Sequence, residues 1–496
     1  MPEPKERQTI KVQAEKTVLA AVRLPESRYD ERDPFGELRE LSRQAGAVVV
    51  GEIEQRRDRP EAGSYMGTGK IEELKGMCEA LNAKTIIFDH DLSPKQIAKI
   101  EQMTERKVLD RSELILDIFA SRATTHEAKL QVEIAQLEYT YPRLRAMWSH
   151  LERIVGSGGI GGVGTRGPGE QQLEIDRRLV QRRKTVLKRE LEEIQARKRR
   201  AVEKRNNDYF TVGLVGYTNA GKSTLFNTLT AGGAYADDRV FATLMTRTRE
   251  WDLGGGHMVM LSDTVGFVRD LPHHLVASFR ATLEEATHAD LLLVLLDVSD
   301  PSAELHFDTV MRTLDELFDE VEASEIKRAE QAKRDGAGDI TRYERPELLV
   351  LLNKADREEV DEQDILYWQS RAVGAIPLCA LRGDEDSDEL PLGQQELIER
   401  VKSFAIGEIE ELDITVPMSD SKTIHTIENR AEVLSREYAQ KTVTLRARIG
   451  QNQLAKLRSA GARMWVMHTD GEPYFKDDQK HGWVHDPDAV NMNIDF

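Results

Sequence analysis

Five short segments between Gly216 and Leu381 carry residue types suited to a triphosphate and a guanine ring. The first, Gly216-Tyr217-Thr218-Asn219-Ala220-Gly221-Lys222-Ser223, follows the apolar run 211–215 and precedes the helical pattern 224–229. That strand-loop-helix setting is what a phosphate loop requires. Glycines let backbone N–H groups face an anion at the positive end of a helix. Lys222 supplies a point charge for the β and γ phosphates, and the Ser223 hydroxyl is a ligand for Mg²⁺.

The later segments define the nucleotide. Asp263-Thr264-Val265-Gly266 ends the apolar strand 258–261, so Asp263 can hold Mg²⁺ through water while the Gly266 N–H reaches a γ-phosphate. Asn353-Lys354-Ala355-Asp356 follows the buried-strand run 348–352. The Asp356 carboxylate can accept both N1–H and N2–H₂ of guanine, and adenine has no matching donor pair. A buried carboxylate left without those donors is penalised, which makes Asp356 the residue expected to select GTP. Cys379-Ala380-Leu381 ends a further strand and offers a backbone N–H to guanine O6. Each segment alone occurs by chance at strand ends, but the ordered set, each after an expected strand, leaves that reading little room.

The elements that must position these residues imply an α/β class. A P-loop domain with a mostly parallel sheet covered by helices on both faces is expected over 207–407, and other domains flank it. At 496 residues the chain has length for several cores. The net charge of −18 argues against a nucleic-acid binder that is basic throughout. Cys78 and Cys379 are the two cysteines, too few for a disulfide framework and suited to a reducing cytoplasm. The longest apolar runs are strand length, so no membrane span is expected, and the charged start does not resemble a signal peptide.

Residues 1–125 alternate apolar runs with helical patterns (17–22, 35–44, 48–53, 71–81, 85–88, 94–103), which predicts a small α/β domain. Its Gly67-Thr68-Gly69-Lys70 is too short for a second phosphate loop and reads as a structural turn with an exposed lysine. Over 126–206 the apolar positions Leu130, Ile134, Leu137, Tyr141, Leu144, Trp148 and Leu151, then Leu173, Val180, Leu187, Leu191 and Ile194, form two spaced seams. The glycine-rich stretch 156–169 between them cannot be helical, so an antiparallel helical hairpin is expected. From Asp176 to Arg205 there are 13 Lys/Arg against 5 acidic residues. That density suits phosphate backbones or a solvated helix face, and the adjoining loop with Arg166 favours RNA.

Residues 314–345 are highly charged and read as a solvated surface insertion. A small α+β domain is expected over 408–460, with a helical stretch around 424–438, and the tail 461–496 shows no clear period.

Beyond the pocket, several motifs resemble the HflX family of ribosome-associated GTPases. They are Tyr65-Met66-Gly67-Thr68-Gly69-Lys70, Phe88-Asp89-His90-Asp91-Leu92-Ser93-Pro94, Val108-Leu109-Asp110-Arg111, Leu116-Asp117-Ile118-Phe119-Ala120, 125–133, Arg166-Gly167-Pro168-Gly169-Glu170 and 173–178. The similarity runs from about residue 17 to 460. It implies that the hairpin enters the large ribosomal subunit near its peptidyl-transferase rRNA, and that the GTP form splits or rescues stalled ribosomes, with the protein acting as a monomer. It also implies a first switch at Phe241-Ala242-Thr243-Leu244-Met245, with Thr243 on Mg²⁺ and the γ-phosphate. There the family's Leu-Asp-Pro-Thr becomes Leu244-Met245-Thr246-Arg247. Asn219 stands where some related GTPases hold K⁺, so K⁺ joins Mg²⁺ as an implied cofactor, and an ATP-directed activity of the N-terminal domain is a further family expectation.

Hydrolysis needs an oriented water and positive charge on the transferring phosphoryl group. Phe267 follows Gly266, where Ras-like proteins carry a water-positioning glutamine, so slow intrinsic turnover is expected, raised by a partner or a cation. Besides ribosome splitting, two readings stay open: a ribosome-assembly GTPase on precursor rRNA, and a GTP-gated adaptor.

Overall fold

Three sheets organise the described residues. In this computed structural model residues 15–139 except 26 and 28, 141, 168–230, 247–269 except 256, 286–334, 343–381, 383 and 390–475 are described.

The N-terminal unit runs β1 (Lys16–Arg23), α1 (Gly36–Gln44), β2 (Val48–Arg56), α2 (Thr68–Leu81), β3 (Thr85–Phe88), α3 (Pro94–Thr104), β4 (Lys107–Leu109), α4 (Arg111–Arg122). Its sheet has the order β2-β1-β3-β4, all parallel. Helices on both faces bury β1 from Thr17 onward and all of β3, which is why they read as continuous apolar runs rather than alternating ones. Ser93 and Gln96 form a capping box that starts α3 with Pro94 in its first turn. The strand order reverses between β1 and β3, and such a point opens a crevice at the carboxyl ends of the strands.

The hairpin comprises α5 over 126–139 and α6 (Pro168–Asp208). Pro168 and Gly169, expected in the loop, are helical, since proline's fixed φ and missing N–H suit a first turn. Leu130 and Ile134 pack on Leu187 and Leu191, while His126–Glu190 and Glu133–Arg183 pair across the seam in antiparallel register. Residues 142–167, including most of the glycine-rich stretch, lie outside the described residues.

The central unit contains β5 (Thr211–Gly216), α7 (Lys222–Leu229), β6 (Arg247–Asp252), β7 (Met258–Asp263), β8 (Leu291–Asp297), α8 (Ala303–Arg334), β9 (Glu347–Asn353), α9 (Glu362–Arg371), β10 (Ile376–Leu378) and α10 (Gln394–Ile406). Its sheet order is β10-β9-β8-β5-β7-β6, parallel except for β6 at the edge. The charged stretch expected as an insertion is, to Arg334, the continuation of α8. Val310, Leu314, Leu317, Phe318 and Val321 recur at helical spacing and are buried, so the charges are that helix's solvated face.

The last unit is β11 (Ile409–Pro417), α11 (Ser421–Arg430), β12 (Glu432–Tyr438), β13 (Thr442–Gly450), α12 (Gln451–Ser459), β14 (Trp465–His468). Its order β12-β13-β11-β14 is the ferredoxin-like arrangement. Two expectations change here. The helix ends at Arg430, and 432–438 is an edge strand paired to β13; exposed except for half-buried Val433, it carries no buried period for a sequence reading to find. Beyond the expected boundary at 460, β14 pairs antiparallel with β11. The units meet at Lys456, whose Nζ donates to Asn206 O at 2.7 Å, in the last turn of α6, and to Asp290 Oδ1 at 2.7 Å beside β8.

Candidate nucleotide site

At the carboxyl end of β5 the chain turns through Gly216 to Gly221 into α7. Gly216 has φ 153, and a Cβ there would lie 2.4 Å from Leu295 O; Gly221 has φ 97, and its Cβ would lie 2.3 Å from Asn353 Nδ2. Only glycine fits either place. Lys222 is buried, and its Nζ donates to Gly216 O at 3.0 Å and Tyr217 O at 2.7 Å. Burial brings its pKa down to about 8, with Asp263 pulling the other way. A charge held on two carbonyls is placed for transfer to an arriving phosphate.

Ser223 Oγ donates to Asp263 Oδ2 at 2.8 Å. A hydroxyl and a carboxylate side by side form a hard oxygen donor set, which fits Mg²⁺. Thr264 Oγ1 is turned away, donating to Leu214 O at 2.6 Å. Asn353 ties three segments together, since Nδ2 donates to Ala220 O at 2.7 Å and Oδ1 accepts from Ala380 N at 3.0 Å. The Lys354 ammonium pairs with Asp297. Asp356, expected as a buried carboxylate, is exposed, so any penalty for an unmatched base arises when the base itself covers it.

In the last segment Cys379 N donates to Leu392 O and Ala380 N to Asn353 Oδ1. Burial raises the Cys379 thiol pKa; the Leu381 amide opposes this and the Asp356 carboxylate adds to it. The structure thus brings Gly216–Ser223, Asp263–Gly266, Asn353–Asp356 and Cys379–Leu381 to one edge of the sheet. Phe241, Ala242, Thr243, Leu244 and Met245 lie outside the described residues.

Against this pocket stands a second cluster, of charges. Gly266 and Phe267 run beside the phosphate loop in a parallel bridge, Phe267 N donating to Gly216 O at 3.0 Å and Thr218 N to Phe267 O at 2.8 Å. Two residues on, Arg269 Nη2 meets both oxygens of Asp89 at 3.2 and 3.1 Å. Its carbonyl accepts from Arg111 Nη2 at 3.1 Å, and its N–H donates to the Tyr217 hydroxyl at 2.9 Å. That hydroxyl in turn donates to Glu37 Oε1 at 2.5 Å, and the Tyr217 ring stacks on His306 at 3.9 Å between centroids. Arg111 Nη1 and Arg23 Nη1 reach Asp89 at 2.7 and 2.9 Å. Burial raises both carboxyl pKa values, yet Arg111 and Arg269 outweigh it and hold Glu37 and Asp89 below the usual range.

Three families match in chain order: GTP-binding GTPase N-terminal over residues 32–120, GTP-binding GTPase Middle Region over 122–205 and 50S ribosome-binding GTPase over 211–331. The chain is 33% identical over 446 residues to GTPase HflX of Caldanaerobacter subterraneus subsp. tengcongensis, an overlap of 90% of this chain and 93% of that one. The chain belongs to the HflX family of GTPases. A second HflX, of Lacrimispora saccharolytica, is 47% identical over 307 residues, 61% of this chain and 70% of that protein. Among solved structures, a GTP-binding protein of Sulfolobus solfataricus in complex with GDP covers 78% of this chain and 98% of its own at 23% identity, with a TM-score of 0.37 that carries no argument.

As an HflX-family member the chain is a GTP hydrolase, and no described helix is long and apolar enough to cross a membrane. The residues that sequence reading left without a role are Glu37 and Arg269, with Asp89 and Arg111 noted only as parts of family motifs. Asp89 and Arg111 each follow a short strand, a position that commonly carries function in a parallel sheet, and that was the available signal. Nothing in the spacing tells that Arg269, 180 residues from Asp89, is their partner.

Proposed function

We propose that this chain binds the large ribosomal subunit and its rRNA in the GTP form, splits or rescues stalled ribosomes in the cytoplasm, and then hydrolyses GTP to GDP and phosphate. The carrying observation is α6, 41 residues long, leading directly into the nucleotide domain and holding Arg178, Arg182, Lys188, Arg189, Arg197 and Arg200 exposed on one hairpin. Arginine and lysine at that density match a phosphate backbone.

In this reading Lys222 and the amides of Gly216–Ser223 hold the phosphates, and the Gly266 amide senses the γ-phosphate. Asp356 and the Leu381 amide select guanine, with Asn353 bracing the pocket. Ser223, Asp263 and Thr243 hold Mg²⁺, which when bound neutralises charge on the β and γ oxygens. Buried Phe267 has no polar group to orient a water, so unassisted turnover is slow. Asn219, exposed at φ 64, is the residue that would support a K⁺ in this reading; equal rates in Na⁺ and K⁺ remove that part.

The test is light scattering of mature ribosomes with GTP, GDP or a non-hydrolysable analogue, using the wild type and a protein lacking 156–169. Loss of whole-ribosome mass with GTP or the analogue, absent from the deletion, is expected. Binding without mass change supports an adaptor instead, and binding confined to immature subunits supports an assembly role.

A further inference from the structure

Strands β8 and β9 run parallel, with Asp297 opposite Asn353, and both end there. The chain leaving β9 turns at once to present Asp356, and it does so through Lys354 at φ 60, a left-handed conformation that a residue with a Cβ adopts only under strain. The Lys354 carbonyl accepts from Arg357 N at 3.2 Å, which closes a turn with Asp356 inside it, and Ala355 N donates to Leu378 O at 3.2 Å. The carboxylate expected to read the base therefore stands on a turn whose first residue has to be held in place.

The hold comes from the neighbouring strand. Asp297 Oδ2 accepts from the Lys354 ammonium at 2.5 Å, while its Oδ1 accepts from Ser299 Oγ at 2.6 Å and Ser299 N at 3.2 Å. With both oxygens engaged, the carboxylate is fixed in direction. Its own strand end is fixed too, since Val298 N donates to Asn353 O at 3.1 Å and the Val298 side chain shares a core with Leu352. The Asp297 side chain is 13% exposed and that of Lys354 21%, so water and salt screen the pair less than they screen a surface one.

We propose that Asp297 is a positioning residue for base selection: by holding the Lys354 ammonium it keeps the turn 354–357 in its left-handed start and so aims the Asp356 carboxylate at guanine N1–H and N2–H₂. The inference deepens the reading of Asp356 given above and rests on it. Asp297 acts through Lys354 and touches neither base nor phosphate. A base without the 2-amino group makes one hydrogen bond fewer to Asp356, so it loses less when the turn loosens. Ser299 stands one step further out, and its removal should have a smaller effect of the same kind.

The experiment displaces fluorescent GDP from the full chain with GDP and with inosine diphosphate, whose base keeps N1–H and lacks the 2-amino group. It compares wild type, Asp297→Asn, Lys354→Gly and the double variant. Asparagine at 297 keeps an oxygen for Ser299 and sets an NH₂ against the ammonium. GDP affinity should fall about tenfold in Asp297→Asn and the preference for GDP over inosine diphosphate about threefold, in the range of one charge-assisted hydrogen bond. Glycine takes φ 60 without strain. In the Lys354→Gly background, Asp297→Asn should therefore move either quantity by less than about twofold, the non-additivity expected of residues that act as one unit. A general loosening of the domain lowers both affinities together, so a fall in GDP affinity with unchanged preference overturns the proposal. No change in folded Asp297→Asn overturns it, as does a full-sized effect of Asp297→Asn in the Lys354→Gly background. A wild type that does not prefer GDP to inosine diphosphate instead overturns the assignment of Asp356. Should Asp297→Asn not fold, Ser299→Ala decides: the preference should fall about twofold, the smaller loss of a neutral hydrogen bond, and an unchanged preference overturns the proposal.

Discussion

The six-stranded sheet and the four-stranded N-terminal sheet both open a crevice at the carboxyl ends of parallel strands, and what they gather there is opposite in charge. In the first, the loop from Gly216 presents amides and Lys222 toward an anion; in the second, Asp89 with nearby Glu37 takes a cation, the guanidinium of Arg269. Topology fixes where a ligand is received, and the residues at strand ends fix its sign. Here the ligand of one sheet belongs to the domain built on the other, so the two sites share a single segment, 263–269.

The largest expected break is on the acidic side. Asp89→Ala leaves Arg23, Arg111 and Arg269 gathered around a hole, and truncating one partner of a buried ion pair costs about 3–5 kcal/mol. Chemical denaturation should show that loss, and a change under 1 kcal/mol would mean the cluster is already hydrated. On the basic side, Lys222→Met should weaken GDP binding about 100-fold, from loss of charge-assisted hydrogen bonds worth roughly 2–3 kcal/mol. The unliganded protein should melt no earlier, because the removed ammonium was buried. One cluster thus holds the fold and the other the ligand, and a variant that moved both measurements equally would erase the distinction.

The smallest effect concerns pH. Burial lowers Lys222 to about 8, so in the free protein the ammonium loses its proton as pH rises through that value. Phosphate binds the charged form and raises the pKa again, so binding takes up a proton above this point. GDP affinity should be flat from about 7 to 8 and fall toward tenfold per unit above it, following proton linkage. Lys222→Met should flatten the profile, and an unchanged slope in that variant would assign it to another group.

The nucleotide pocket was legible because its chemistry is local. Gly216, Gly221, Lys222 and Ser223 lie within one turn, and strand periods on either side position it without long-range information. Residues 17–22 and 85–88 were equally plain, because a sheet covered on both faces demands continuous apolar runs. What escaped was decided at a distance. The edge strand 432–438 has no buried face to imprint a period, and its pairing with β13 outweighs the helical reading. The strand at 465–468 is short, and its place beside β11 is a tertiary fact. Asp89, Arg111 and Arg269 each read as an ordinary charged residue near a strand end, and only assembly of two domains makes them neighbours.

Lys456 has a mechanical consequence. By fastening the last turn of α6 to Asp290, it roots a rod about 60 Å long, at 1.5 Å per residue over its 41 residues, in the frame of the hydrolase. On such an arm a tilt of about ten degrees at the root sweeps the far end through roughly 10 Å, taking the same rise per residue. Displacements at the base too small to rearrange the sheet thereby become strokes on the scale of a nucleic-acid groove at the tip.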